Sequence, residues 1–386
     1  MNPTSARLKI AVLNRTFAAT GGGAERYSMA IAEALGRDHE VHVFAQKIEG
    51  APAGLHLHRV SCPLPKPRWI NQLWFAAVTA WRTRHGFDVV HSHENTWGGQ
   101  IHTIHVQPVR FNLLAGRTGW ARALRWLKIG TSLRLLAYLA LEAARFRAGP
   151  RRRVVVTSEA LREEVLQAYP HAQPWTSVIT PGVNPPGEGP EPAMARTQLG
   201  LPPQAPLALF VANDYTRKGL EAVLQALAVP GNDWHLAVVG QTGGQAMFSA
   251  RSAQLGVADR VHFLGPLPDV GPAYRAADLL VHPTLADTFA MVVLEAMAHG
   301  RPVVVSNARF CGISALIRHQ QEAWLLDDPR NASSLADAMQ ALRPGSLAAV
   351  HLAACAKEWA RGHDWSVAAN AYLDLIEQVR PLRPPV

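Results

Sequence analysis

The sequence predicts an α/β fold of two doubly wound, Rossmann-like domains, and three observations predict it. Short apolar runs alternate with helical patterns from the start of the chain, the alternation begins afresh in the second half, and a Pro/Gly cluster separates the two series. Such alternation is the pattern of βαβ units on a parallel sheet. At 386 residues the chain has the length of two domains, and its 48% apolar content is ample for two cores.

In the first half, strand-like runs over Leu8–Leu13, Glu40–Phe44, Asp88–His91 and Ile101–Val106 accompany a helical pattern over Ala24–Leu35. In the second half, strands are expected over Leu207–Val211, Leu236–Gly240, Val261–Leu264, Leu279–His282 and Pro302–Ser306, with helices over Ala222–Leu227 and Val292–Ala298. Between the halves, the stretch Pro181–Pro192 cannot continue a helix or a central strand and reads as a linker. The expected domains are 1–183 and 184–365. A last helix over Ser366–Val379 carries Ala369, Tyr372, Leu373, Ile376 and Val379 on one face.

Composition narrows the class further. The three cysteines, Cys62, Cys311 and Cys355, are scattered and form no CxxC pair, which fits a reducing compartment. Residues Met1–Arg7 lead directly into a strand, and no apolar run approaches the roughly 18 residues of a membrane helix. The expectation is a cytoplasmic protein with neither signal peptide nor span. The net charge of +9 is concentrated: residues 106–153 hold eleven arginines and lysines against Glu142 alone, a local charge of +10. A segment like this attracts nucleic acid, anionic lipid or a phosphorylated ligand.

The most informative stretch is Asp287-Thr288-Phe289-Ala290-Met291-Val292-Val293-Leu294-Glu295, which follows the strand ending His282-Pro283 and runs into a helix. One carboxylate before a helix N-terminus and a second eight residues on can hold two ends of one sugar nucleotide, with the positive helix end facing its phosphates. Two glycine-containing turns supply further candidate phosphate contacts. Gly21-Gly22-Gly23-Ala24-Glu25-Arg26 follows the first strand but has neither Walker nor GxGxxG spacing. Arg217-Lys218-Gly219 follows the first strand of the second half and would bring two cations to a diphosphate, or would form an ordinary exposed basic turn.

These landmarks resemble, over nearly the whole chain, the retaining glycosyltransferases of family 4, of GT-B fold. Asp287 stands where the family's E-x7-E pair usually has Glu, and Ala290 replaces a usual glycine. Ala212-Asn213 replaces the Gly-Arg that family members commonly carry five residues before the Lys, so Arg217 would supply that charge. Residues Asn213–Gly219 and His282–Ala296 are closer still to lipopolysaccharide core glucosyltransferases.

The resemblance implies two domains facing across a cleft, with residues 366–386 returning to the first. It implies that Glu295 accepts the ribose hydroxyls and that Asp287 contacts the transferred sugar. A plain N-cap would also explain Asp287. Phe289, Ala290 and Met291 belong to the same donor motif, Gly22 and Gly23 to the family's GGxER loop. Gly240 ends a strand in the donor-binding half, and Leu267, after Gly265-Pro266, would meet the base through its main chain.

Among His91, His93, His102 and His105, the last matches the family's Thr-x-His and would lie near the anomeric carbon. With Lys218 and Asp287 it completes the catalytic candidates. Four histidines this close also suggest a metal, but no carboxylate or thiol completes a recognised ligand motif. No metal or other cofactor is expected.

The function expected is transfer of a sugar, glucose from UDP-glucose above all, to a lipopolysaccharide core or related glycolipid or saccharide. Segments Trp120–Lys128 and Leu133–Arg147 suit a helix on an anionic bilayer, or an ordinary packing helix with a solvated basic face. Peripheral association with the cytoplasmic face of the inner membrane follows from the first reading. A nucleotide-sugar epimerase or hydrolase of the same fold is the alternative. A nucleic-acid-binding protein is the remote one, disfavoured by the near-neutral remainder of the chain.

Overall fold

The computed structural model describes residues 7–18, 22–240 and 242–380. The chain divides into two compact units, Met1–Pro181 with Trp365–Val386, and Gly182–Asp364.

The strands of the first unit are β1 (Lys9–Leu13), β2 (Thr16–Ala18), β3 (Glu40–Ala45), β4 (Lys47–Glu49), β5 (His56–Arg59), β6 (Val89–Ser92), β7 (Ile101–Ile104), β8 (Arg153–Val156) and β9 (Thr176–Val178). Seven of them form a sheet in the order β5-β3-β1-β6-β7-β8-β9, with every pairing parallel, while β2 and β4 pair with each other. The sequence reading missed β2, β4, β5, β8 and β9. They are three or four residues long, and most are too polar or too short to show a period.

The second unit contains β10 (Leu207–Val211), β11 (His235–Val239), β12 (Val261–Gly265), β13 (Leu279–His282), β14 (Val303–Ser306) and β15 (Trp324–Leu326), in the order β12-β11-β10-β13-β14-β15. This is the doubly wound order, and side-chain alternation shows why it forms. Leu207 and Leu209 enter one core with the helix Met291–Ala298, whereas Ala208 and Phe210 enter another with the helices Leu220–Leu227 and Ala332–Ala341. A sheet buried on both faces needs apolar side chains at successive positions, so its strands read as continuous apolar runs.

The last helix, Trp365–Val379, packs in the first unit. It is held there by more than apolar contact. The hydroxyl of buried Tyr372 lies 3.0 Å from that of Tyr27 and 2.7 Å from Thr103 Oγ1, which in turn meets His91 Nε2 at 2.8 Å. Tyr27 also donates to the Ile179 carbonyl at 3.2 Å. Buried polar groups this far from water must satisfy one another. Tyr372→Phe is therefore expected to lower stability by about 1–3 kcal/mol through the orphaned partners. An unchanged denaturation midpoint would show that the chain of hydroxyls bears no load.

Among the described residues, no helix is long and apolar enough to cross a membrane. All three cysteines are unpaired.

Candidate active site

In the second unit the strand order reverses between β10 and β13, and the loops leaving the carboxyl ends of these strands meet. Open parallel sheets bind ligands at such a point. Gly219 makes the approach possible: its φ of 84° is left-handed, and a Cβ there would lie 2.0 Å from the Pro283 carbonyl oxygen. Leu285 N–H then donates to the Arg217 carbonyl at 2.8 Å. Gly240, at the end of β11, is constrained in the same way, with φ 131° and an imagined Cβ 1.8 Å from the Ala212 oxygen. Its glycine is explained by packing against the neighbouring loop.

The loops bring Lys218 and Asp287 together. Lys218 Nζ pairs with Asp287 Oδ2, to which His282 Nε2 also lies at 3.2 Å. Asp287 Oδ1 accepts from the N–H groups of Phe289 and Ala290 at 3.3 and 3.0 Å. The plain N-cap reading of Asp287 is corrected: Ala290 holds the N-cap position, and the Asp287 carboxylate instead closes the turn that precedes the helix. Burial alone would raise its pKa. The His282 hydrogen bond and the Lys218 charge outweigh burial and hold it well below the usual carboxylate range. Burial in turn pushes the His282 pKa down, against the pull of Asp287. Sequence reasoning did not assign His282, although a histidine ending an apolar strand at the reversal point was a visible signal.

The helix Met291–Ala298 starts from Ala290, which adopts left-handed angles of φ 71° and ψ 71°. A side chain there costs roughly 1–2 kcal/mol, which glycine avoids. Phe289 is buried in the core, so its ring is a packing group and only its backbone faces the carboxylate. Met291 packs partly buried against the same core.

Glu295 lies half-buried on this helix, and Tyr274 donates its hydroxyl to Oε2 at 2.7 Å. The Tyr274 ring stacks on His299 at 5.0 Å, and His299 Nδ1 meets the Glu295 carbonyl at 2.8 Å. No local sequence pattern links Tyr274 to a glutamate 21 residues away. Leu267 follows β12 with its side chain against the core, which leaves its main chain on the loop. Arg217 is exposed, with its N–H on Asp214 Oδ1 at 3.0 Å.

In the first unit, Gly22 is the N-cap of the helix Gly23–Gly36, and Gly21 lies outside the described residues. His105 Nε2 meets His93 Nδ1 at 2.9 Å, and the His105 ring stands edge-on to Tyr27 at 4.9 Å. His91 is committed to Thr103, so the four histidines do not turn their nitrogens to one point. The described His and carboxylate groups that do converge, Glu40, His42 and His56, lie elsewhere in the unit.

The histidine environment is apolar and cationic. His91 and His105 are each pushed down to about 3, by burial first and then by the Arg145 charge. His93 and His102 also lie well below the ordinary value, again chiefly through burial. A histidine whose folded-state pKa is lowered contributes fully above its unfolded pKa of about 6.5, and that contribution fades as pH falls toward the folded value. The melting temperature is expected to drop steadily from pH 7 to pH 5, since each such histidine costs up to about 1.4 kcal/mol per pH unit. A flat profile over that interval would contradict neutral, buried rings.

The basic segment divides. Arg145 is buried, donates to Asn95 Oδ1 at 2.8 Å and to the Thr103 carbonyl, and has its pKa lowered to about 10, first by burial. Glu142 is buried too, accepting from the N–H groups of Val109 and Arg110 and from the Tyr169 hydroxyl. These two are internal, so Arg145 and Glu142 add nothing to the exposed charge of the segment. The helix Gly119–Gly130 is the opposite case, burying Ile129 alone. Trp120 is 84% exposed, Leu124 63% and Leu127 66%.

Comparison with known proteins places these features in context. Residues 21–185 match Glycosyltransferase Family 4, and residues 194–357 match Glycosyl transferases group 1. A D-inositol 3-phosphate glycosyltransferase of Thermobispora bispora is 33% identical over 60% of this chain and 58% of its own length. The chain thus spans less than two thirds of that relative. The lipopolysaccharide glucosyltransferase WaaG of Escherichia coli is 26% identical over 83% of this chain and 85% of its own. The crystal structure of WaaG, a glycosyltransferase involved in lipopolysaccharide biosynthesis, superposes with a TM-score of 0.74 at 25% identity, over 95% of this chain and 99% of the other. Anabaena HepE, solved in complex with UDP and glucose, shares the fold with a TM-score of 0.74 at 19% identity, over 96% and 100% of the two chains.

Proposed function

The chain belongs to the GT-B glycosyltransferases, with a Glycosyltransferase Family 4 domain followed by a group 1 domain, and on that premise we propose that it transfers glucose from UDP-glucose to a lipopolysaccharide core or related glycolipid. The observation that carries this reading is the meeting of Lys218, Asp287 and the start of the helix bearing Glu295 where the strand order reverses. The glucosyl donor and the acceptor class are supported by the similarity to WaaG, and the uridine base by the HepE complex.

The chemistry follows from charge. When the bond between the sugar and the diphosphate breaks, negative charge grows on the leaving oxygens. Arg217, Lys218 and the N–H groups at the head of the helix Met291–Ala298 are preorganised to meet it. No metal is assigned to this step, because these cations fill the part a metal would play.

In the structure Lys218 neutralises Asp287. An incoming diphosphate competes for the ammonium, freeing Oδ2 to accept from a hydroxyl of the donor sugar. Glu295, oriented by Tyr274, has the two oxygens a ribose diol needs. Asp287 is already engaged by two backbone N–H groups and two side chains, an arrangement suited to orienting and unsuited to nucleophilic attack. Retention at the anomeric carbon is what the resemblance to the family implies. Without a covalent nucleophile it calls for the acceptor hydroxyl to attack on the face of the departing phosphate and give its proton to that leaving group. His105 is the residue the resemblance assigns near that carbon.

Thermal shift against UDP, GDP, ADP, CMP and their sugar conjugates tests the donor site. Stabilisation by the UDP series is expected, reduced at least tenfold in apparent affinity by Glu295→Ala. Lys218→Ala should lower transfer by about 10²–10³-fold with the fold intact. Near-normal turnover by both variants, or turnover of donor without any acceptor, would replace this assignment, the latter by an epimerase or hydrolase.

The helix Gly119–Gly130 is proposed to rest on an anionic membrane at the cytoplasmic face. Its Trp and Leu side chains lie outward beside Arg122 and Lys128, in keeping with an interfacial helix. Co-sedimentation with vesicles rich in phosphatidylglycerol is expected, falling at least fivefold with Trp120→Ser and Leu127→Ser together and absent with phosphatidylcholine. Equal binding to duplex DNA would favour a nucleic-acid partner.

A further inference from the structure

At the amino-terminal ends of β3 and β5, on the outer edge of the first sheet, four polar side chains share one face. Residues two apart on a strand point the same way, so Glu40 and His42 align on β3 and His56 and His58 on β5. The parallel register sets His42 beside His56 and Phe44 beside His58. Because β5 is the edge strand, the cluster opens to solvent on its outer side.

The contacts are close and specific. His42 is 8% exposed and has both ring nitrogens engaged, Nε2 at 2.7 Å from Glu40 Oε1 and Nδ1 at 2.8 Å from His58 Nε2. His56 stacks on His42 with ring centroids 4.6 Å apart and planes within 15°. The far side of His42 is closed by Phe87, edge-on at 5.3 Å. One ligand atom each from Glu40, His42 and His56 falls within 4.8 Å of the others.

We propose that Glu40, His42 and His56 bind a divalent zinc ion that ties the edge strand to its neighbour. Two imidazole nitrogens and one carboxylate oxygen are ligands zinc takes readily, with water completing the tetrahedron. Zinc bonds of about 2.0–2.1 Å place tetrahedral ligands roughly 3.4 Å apart, so the cluster contracts modestly on binding. His56, exposed on the edge strand, is the side chain that can rotate to achieve it. His42 binds through Nε2, which leaves its one ring proton on Nδ1. From there it is donated to His58 Nε2, the outer partner that fixes the ring. Lys9, 3.3 Å from Glu40, remains on the flank of the carboxylate.

The site sits at the opposite end of the strands from His93 and His105 and takes no part in sugar transfer. Its role is mechanical, stapling an edge strand of four residues whose outer side has no neighbour in the sheet.

Calorimetric titration of chelator-treated full chain with zinc chloride tests the proposal. One saturable equivalent with micromolar or tighter affinity is expected, together with a zinc-dependent rise in melting temperature. His56→Ala and Glu40→Gln, at exposed and half-exposed positions, should each weaken binding at least tenfold while melting within a few degrees of the parent without zinc. Absence of saturable binding would overturn the proposal. So would zinc binding unaffected by either substitution, which would move the ion to another group such as His91, His93, His102 and His105.

Discussion

The buried carboxylate of Asp287 organises the second unit's site. A charge removed from water must be repaid by hydrogen bonds and opposite charge, or it is lost to protonation. Here the repayment comes from four groups on three segments: the Lys218 ammonium after β10, the His282 ring at the end of β13, and two N–H groups at the head of the next helix. Each must be held within hydrogen-bond distance, so the two loops cannot drift apart. Gly219 lets them touch, since any side chain at that position would strike Pro283.

The same demand explains why the site is polar at one end and apolar at the other. Asp287 takes its partners from backbone and charge, while Phe289 and the inner face of the helix fill the core below. Glu295, one further turn along, cannot draw on the helix head and is met by the Tyr274 hydroxyl. Two carboxylates eight residues apart therefore differ in their surroundings, one neutralised by a lysine and the other held by a phenol. That difference suits them to different ends of one ligand.

Charge in the first unit follows another rule. The rings of His91, His93 and His105 are shielded from water and lie near the Arg145 charge, so their neutral forms are the stable ones. Hydrogen bonds through Thr103 and Tyr372 then link that polar layer to the final helix. The sequence gathers the arginine excess into residues 106–153. In the structure it separates into internal struts such as Arg145 and an outward helix around Arg122 and Lys128.

Much of this was legible in the sequence, because it depends on periodicity and local order. Apolar runs such as Leu207–Val211 and Leu279–His282 can be read as strands buried on both faces, and glycine after a strand marks a tight approach. Arg217-Lys218-Gly219 and the Asp287 to Glu295 spacing, together with the Gly21–Arg26 loop and the Ile101–His105 stretch, carried the resemblance to the family. What the sequence could not decide were pairings between residues far apart along the chain. That His282 joins Lys218 on Asp287, that Tyr274 reaches Glu295, and that β5 lies beside β3 with His56 against His42 follow from loop closure and strand register. Short polar strands carry no period to announce them, and burial of one cation among eleven is set by what packs over it. Local pattern determined the elements and the chemistry they carry; the tertiary structure decided which charges meet.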